Sequence, residues 1–309
     1  MMGKKSSALA LLAAVLMWSS SFPLLKLCIG YLPPITLAAI RYLVAASFMF
    51  LIVVTIRGKK ETIQKFSDNW KKLTLLGFIG IALPNAALNL GLQYTTASLS
   101  SIIQASGPAF TIVLAVLILG DKLTPRKVAG LILALIGTIL LVRGEDNGLE
   151  HGAMIGNLLV LTSAVSYSFS GVLAKKELAT NEPAIVNCWS LITGSLILSL
   201  AIPLEENNGV AIPPDIVLII LFLALFPGCI AFLLYYQVLK EQSLSSISYF
   251  LYLIPLFSTM ISIPMLGETV TLKTALFAIL IIAGVAISQY NPLGDGEKKN
   301  DVGKARNSR

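Results

Sequence analysis

A chain of 309 residues with 56% hydrophobic and 13% charged residues is far more apolar than a soluble domain of this length. Its net charge of +7 is spread in short clumps between apolar runs, so no single basic face exists for a nucleic acid. The three cysteines, Cys28, Cys188 and Cys229, lack paired spacing, which argues against a disulfide framework or a cysteine metal site.

Crossing the hydrocarbon of a bilayer takes roughly 20 residues of helix. Ten runs are read as spans: 8–29, 35–56, 72–93, 98–119, 126–142, 153–174, 184–204, 214–238, 244–266 and 273–290, the fifth being the shortest. The predicted fold class is an all-α polytopic membrane protein of ten transmembrane helices. The first run follows Lys4 and Lys5 and resembles a signal peptide, but it stays apolar past Ser21 to Tyr31. It is expected to be retained as a span.

Polar residues inside hydrocarbon are costly, so their spacing reveals which helix faces point inward. Lys26 in the first run and Arg41 in the second lie near outer ends. Snorkelling to the interface is the simpler reading for both; the functional one is a cation meeting a substrate carboxylate at the outer mouth. The interval 57–71 is too short for a folded domain. In the third run Asn85, Asn89 and Gln93 recur every four residues on one face, which exceeds what packing requires and points to a cavity. The fourth run carries Gln104, Gly107 and Thr111 beside Pro108, whose missing N–H frees a carbonyl. Isolated serines are expected to hold helices together or bond their own helix backbone rather than to meet a solute.

Further on, the sixth run offers Ser163, Ser166, Tyr167 and Ser170. Tyr235 and Tyr236 lie near Lys240 and read as an interfacial aromatic belt, whereas Tyr249 and Tyr252 lie deeper. Asp121 and Glu268 sit at matching ends of the fourth and ninth runs, where capping suffices, and no Asp or Glu falls mid-span. His151 is the single histidine and lies between spans, so neither a histidine-pair metal site nor a serine–histidine dyad can form. No catalytic residue, metal or cofactor is expected, and an intramembrane enzyme is disfavoured. The tail, 293–309, is charged and reads as disordered.

Of the 23 Lys and Arg residues, nineteen fall in segments on one side of the ten runs and three on the other. Positive charge marks the cytoplasmic side, so both termini are predicted to be cytoplasmic in a multi-pass protein of the cytoplasmic membrane. Reporter fusions within 57–71 should therefore read cytoplasmic, and fusions within 205–213 external. A cytoplasmic signal at 205–213 would break this topology.

The chain also repeats itself. "SLSSI" occurs at 98–102 and 243–247; Pro108 with "LGDKLT" and Pro255 with "LGETVT" follow at an offset of 147 residues. "AVLMWSSSFPLLK" (14–26) aligns with "AVSYSFSGVLAK" (164–175), setting Trp18 on Tyr167 and Lys26 on Lys175. Two units follow, 1–146 and 147–292. Five helices per unit is odd, so the second enters the membrane from the opposite side as an inverted repeat, a frame that commonly surrounds an alternating-access site. At an offset of 145, Ile230, Leu234 and Val238 face the three amides, so the amide stripe has no counterpart.

These features together resemble the EamA-type carriers of the drug/metabolite transporter superfamily. Each first helix carries an aromatic-plus-small motif, and each fourth runs from serines through proline to Leu-Gly-acid. The sequence departs from the family's usual pattern at Ser19 and Asp121. The resemblance implies that helices 1–4 and 6–9 surround a central cavity, with 5 and 10 outside it. It further implies a secondary transporter of small metabolites without naming the solute. The absence of mid-span acids and the pairing of amides with aromatics suit a neutral or zwitterionic one, first an amino acid, moved in the export direction. The alternative is a channel, a lipid scramblase or an accessory membrane subunit without carrier activity. The expected partners are the small-molecule solute, the lipid bilayer and a second copy of the chain as a homodimer. The predicted solute-binding residues are Trp18, Arg41, Asn85, Asn89, Gln104, Tyr167, Tyr249 and Tyr252.

Overall fold

The computed structural model describes residues 4–119, 124–143, 151–206, 211–242 and 244–289. Among them every regular element is helical. Seven helices are long and apolar enough to cross a membrane, and Leu253–Leu266 and Leu272–Ser288 are two shorter apolar ones. Asp121 and the tail lie outside the described residues.

The first half comprises α1 (Lys4–Ile29), α2 (Pro34–Arg57), α3 (Lys59–Gly77), α4 (Leu83–Tyr94), α5 (Ala97–Gln104), α6 (Gly107–Leu119) and α7 (Pro125–Arg143). The second comprises α8 (His151–Glu177), α9 (Pro183–Ala201), α10 (Pro214–Leu225), α11 (Ala231–Glu241), α12 (Leu244–Leu251), α13 (Leu253–Leu266) and α14 (Leu272–Gln289). Proline opens α2, α7, α9 and α10, where its missing N–H would have had no intrahelical partner. Because α2 has no cap of its own, Glu205 beyond α9 supplies one, accepting from the Ile35 and Thr36 amides at 2.7 Å each.

The segment between the second and third predicted spans is helical. Gly58, at φ +81°, ends α2 in a conformation that favours glycine, and α3 starts at once. Its Lys, Glu and Gln residues are good helix formers, and Phe66 stacks on Trp189 at 4.1 Å. Asn69, at φ −130° and ψ 16°, kinks this helix, and the third span begins beyond the kink.

Two kinds of irregularity occur at corresponding places in the halves. A π turn at Phe78–Ala82 joins α3 to α4, and another at Phe226–Ile230 joins α10 to α11. Helical winding is interrupted between α5 and α6 at Ala105–Ser106 and between α12 and α13 at Tyr252. Pro108 and Pro255 explain the interruptions, since neither can donate to the carbonyl four residues back, at Gln104 and Leu251. The serine-to-proline frame in the sequence thus marks a broken helix in each half.

The predicted fifth span, α7, lies lengthwise on α14 through glycine-lined contacts at Gly130, Gly137 and Gly284. Neither α7 nor α14 lines the central cavity, as the resemblance implies. α9 does not line it either, although the resemblance counts helix 7 among the surrounding helices. It packs behind α2 and α3, with Trp189 donating to the Thr62 carbonyl at 3.1 Å.

Candidate functional site

A cavity of about 180 Å³ opens between α1, α2, α4, α8, α11 and the two broken helices. Its walls include the break residues Gln104, Ala105, Leu251 and Tyr252 and the π-turn residue Pro227. The irregular backbone therefore faces this space, where carbonyls released from helical bonding can be met by protein groups. Trp18 Nε1 donates to the Pro227 carbonyl at 3.1 Å, and Ser166 Oγ donates to the Ile79 carbonyl at 2.6 Å. Each π turn is thus tied to a helix of the other half.

The polar centre is built on α2 and α4. Arg41 is 2% exposed, and its Nη2 donates to Asn85 Oδ1 at 2.8 Å. Tyr42 donates its hydroxyl to the same oxygen at 2.9 Å, and Asn85 Nδ2 donates to the Ile81 carbonyl at 2.8 Å. The guanidinium carbon lies 4.5 Å from the Tyr42 ring centroid, which adds a cation–π contact. No Asp or Glu lines the cavity among the described residues. The snorkelling expectation for Arg41 is overturned. Arg41 lies two helical turns into α2, on the face that meets α4, so its side chain turns inward to Asn85.

Lys26 does not snorkel either. Its Nζ donates to the Leu92 and Thr95 carbonyls at 2.5 and 3.0 Å, capping the C-terminal end of α4, where the helix dipole favours a cation. Lys175 donates likewise to the Leu239 and Gln242 carbonyls at 2.6 and 2.8 Å at the end of α11. Glu268 accepts from the Ala97 and Ser98 amides at 2.7 and 2.9 Å, a cap for α5, as its position at a helix end suggests.

The amide stripe divides. Four residues of α-helix overshoot one turn by about 40°, so a four-residue series drifts around the axis. Asn85 reaches the cavity. Asn89 does not line it; its Nδ2 donates to the Pro34 carbonyl at 3.0 Å between α4 and α2. Gln93 is exposed. The 145-residue alignment of the stripe also fails. The π turns are 148 residues apart and the ends of α4 and α11 147 apart, setting Asn89 near Tyr236 or Gln237 rather than Leu234.

Six of the eight predicted residues line the cavity: Trp18, Arg41, Asn85, Gln104, Tyr167 and Tyr252. Gln104 also donates to Ser163 Oγ at 2.8 Å. The Tyr249 side chain lies outside the described residues. Sequence reasoning missed Tyr42, Phe232, Tyr235 and Tyr236. Tyr236 is 3% exposed and both tyrosines face the cavity, so the aromatic-belt reading is corrected. Nearness to Lys240 gives the depth of these residues but not the face they present, and here that face is the cavity. Trp18 meets Phe232 and Tyr235 edge-on at 5.3 and 5.5 Å, which completes an aromatic wall. Ser19, Ser20 and Ser21 bond carbonyls of their own helix, as expected of isolated serines.

The cavity thus combines one buried cation, amide and phenol groups and an aromatic wall. The EamA-like transporter family matches this chain twice, over residues 5–143 and 154–290. An uncharacterized transporter of Archaeoglobus fulgidus is 28% identical over 91% of this chain and 96% of its own. A probable amino-acid metabolite efflux pump of Escherichia coli is 25% identical over 94% of this chain and 96% of its own. A solved crystal structure shares the fold at a TM-score of 0.69, covering 92% of this chain and 97% of that one at 19% identity. With two matches that together span most of its length and with its apolar helices, this chain is a multi-pass membrane protein and belongs to the EamA-like transporter family.

Proposed function

We propose that this chain is a secondary carrier that moves a small polar metabolite, an amino acid or similar zwitterion, out of the cell by alternating access. The observation that carries this reading is the cavity itself, where polar side chains and two broken helices meet between the halves. Amides and phenols both donate and accept, so Asn85, Gln104, Tyr167 and Tyr252 suit a solute with mixed polar groups. Trp18 and Phe232 suit its apolar part. The likeness to the probable amino-acid metabolite efflux pump of Escherichia coli supports the solute class and the direction.

Alternating access needs elements that bend without unfolding. The Ala105–Ser106 and Tyr252 interruptions are suited to this, because their prolines have already removed the hydrogen bond that bending would break. Paired π turns, paired lysine caps and a family match in each half support two inverted five-helix repeats, 1–146 and 147–292, and the excess of Lys and Arg on one side of the runs supports cytoplasmic termini in the cytoplasmic membrane.

A thermal-shift screen of the purified full chain against metabolites tests the reading, since a ligand bound only by the folded state raises the melting temperature. Free amino acids are expected among the stabilising ligands. Stabilisation by none of the amino acids would overturn the solute class.

A further inference from the structure

The Arg41 guanidinium is buried, yet among the described residues only one of its five N–H donors has a protein acceptor, the Asn85 amide oxygen. Nε is buried without any partner. A charge removed from water costs several kcal/mol unless an opposite charge or full hydrogen bonding compensates it. The surroundings do neither: Tyr42 offers its ring face and Asn85 one oxygen, and no carboxylate among the described residues lines the cavity. Asn85 and Tyr42 also bond each other, which fixes the direction in which the guanidinium points. A cation held rigidly with its donors unspent, on the wall of a cavity, is a receptor awaiting an anion.

We infer that Arg41 binds a carboxylate of the transported solute, so that a free carboxylate is required for recognition. This rests on the carrier reading and narrows it to acids. One guanidinium matches one carboxylate in charge and in its planar fork. A phosphate monoester, at about −1.5 to −2 charge near neutral pH, would remain partly uncompensated. The aromatic wall of Trp18, Phe232 and Tyr235 lies across the same cavity and accepts an apolar body. An α-ammonium meets aromatic faces there rather than an acid.

The test compares L-leucine and L-phenylalanine with L-leucinamide and L-phenylalaninamide, by thermal shift and equilibrium binding on the full chain in detergent. Phosphoserine is included as the phosphate arm. Wild type is expected to bind the acids about 10- to 100-fold more tightly than the amides, as for a lost charge-assisted pair. Arg41→Gln should remove that preference, and Arg41→Lys, which keeps the charge without the fork, should fall between. The acid-to-amide comparison needs no variant, so it stands even where Arg41→Gln does not fold. Equal affinity for acid and amide, tighter binding of phosphoserine, or no binding of either acid would overturn the carboxylate assignment. So would wild-type affinity for the acids in folded Arg41→Gln. Saturable exchange of a carboxylate-free solute would sink this inference and leave the carrier standing, whereas a bound acid that is never exchanged would sink the carrier alone.

Discussion

Asn85→Leu is expected to destabilise the protein by about 2–4 kcal/mol, the cost of leaving two buried donors, one of them charged, without their acceptor. Asn85 Oδ1 accepts from both Arg41 and Tyr42, and leucine offers neither an acceptor. The loss falls on two donors at once, one of them charged. Leucine itself is at home in a membrane helix, so the penalty comes from the stranded partners. Unfolding of detergent-solubilised protein, followed by helix content, measures it. Asn85→Leu combined with Arg41→Met should recover much of the loss, because the charge leaves together with its acceptor. A single variant as stable as wild type would mean that the Arg41 charge finds compensation elsewhere.

Gly284→Leu is expected to cost about 3 kcal/mol by a different route, while solute affinity in the folded fraction stays at the wild-type value. A Cβ at Gly284 would meet the Ala134 amide nitrogen at 2.5 Å and the Gly130 carbonyl oxygen at 2.6 Å. Both are backbone atoms of α7, so no rotamer change relieves the clash and the two helices must part. Because α7 and α14 stand outside the cavity, the binding wall is not disturbed. Melting temperature and binding affinity, measured on the same preparation, separate the two effects. A wild-type melting temperature would show that the crossing is not tightly packed, and a weakened affinity would tie this pair to the site.

The parts legible in the sequence are those that a local rule dictates. Pro108 marks a freed carbonyl from its missing donor, and helical interruptions lie at Ala105–Ser106 and, before Pro255, at Tyr252, whereas Pro23 and Pro264 sit within unbroken helices. Ser19, Ser20 and Ser21 return their hydroxyls to their own helix, whereas Ser166 reaches across to the Ile79 carbonyl. Apolar run length found the helices because every backbone group must be satisfied within its segment.

What was not legible depends on which neighbour a residue meets. Arg41 and Lys26 share a place near helix ends, and a snorkelling rule treats them alike. One instead bonds Asn85 inside the cavity, and the other caps α4. Only the third dimension separates them. The π turns at Phe78–Ala82 and Phe226–Ile230 leave no mark in composition, yet each resets the face of all that follows. Nearness to Lys240 could not show that Tyr235 and Tyr236 face inward, and an alignment at 145 residues ignores π turns that lie 148 apart. The drift of Asn85, Asn89 and Gln93 was calculable from helix geometry. Its consequence was not, because the neighbour at each angle was unknown.

Alternating access requires the cavity to load and release a solute from either side. Counterflow measures this most directly. Proteoliposomes containing the full chain are loaded with an excess of the most stabilising amino acid and diluted into a trace of its labelled form. The account predicts that label accumulates transiently above its equilibrium level and that the initial rate saturates with concentration. Label that rises only to equilibrium, at a rate linear in concentration and indifferent to the internal load, would contradict it.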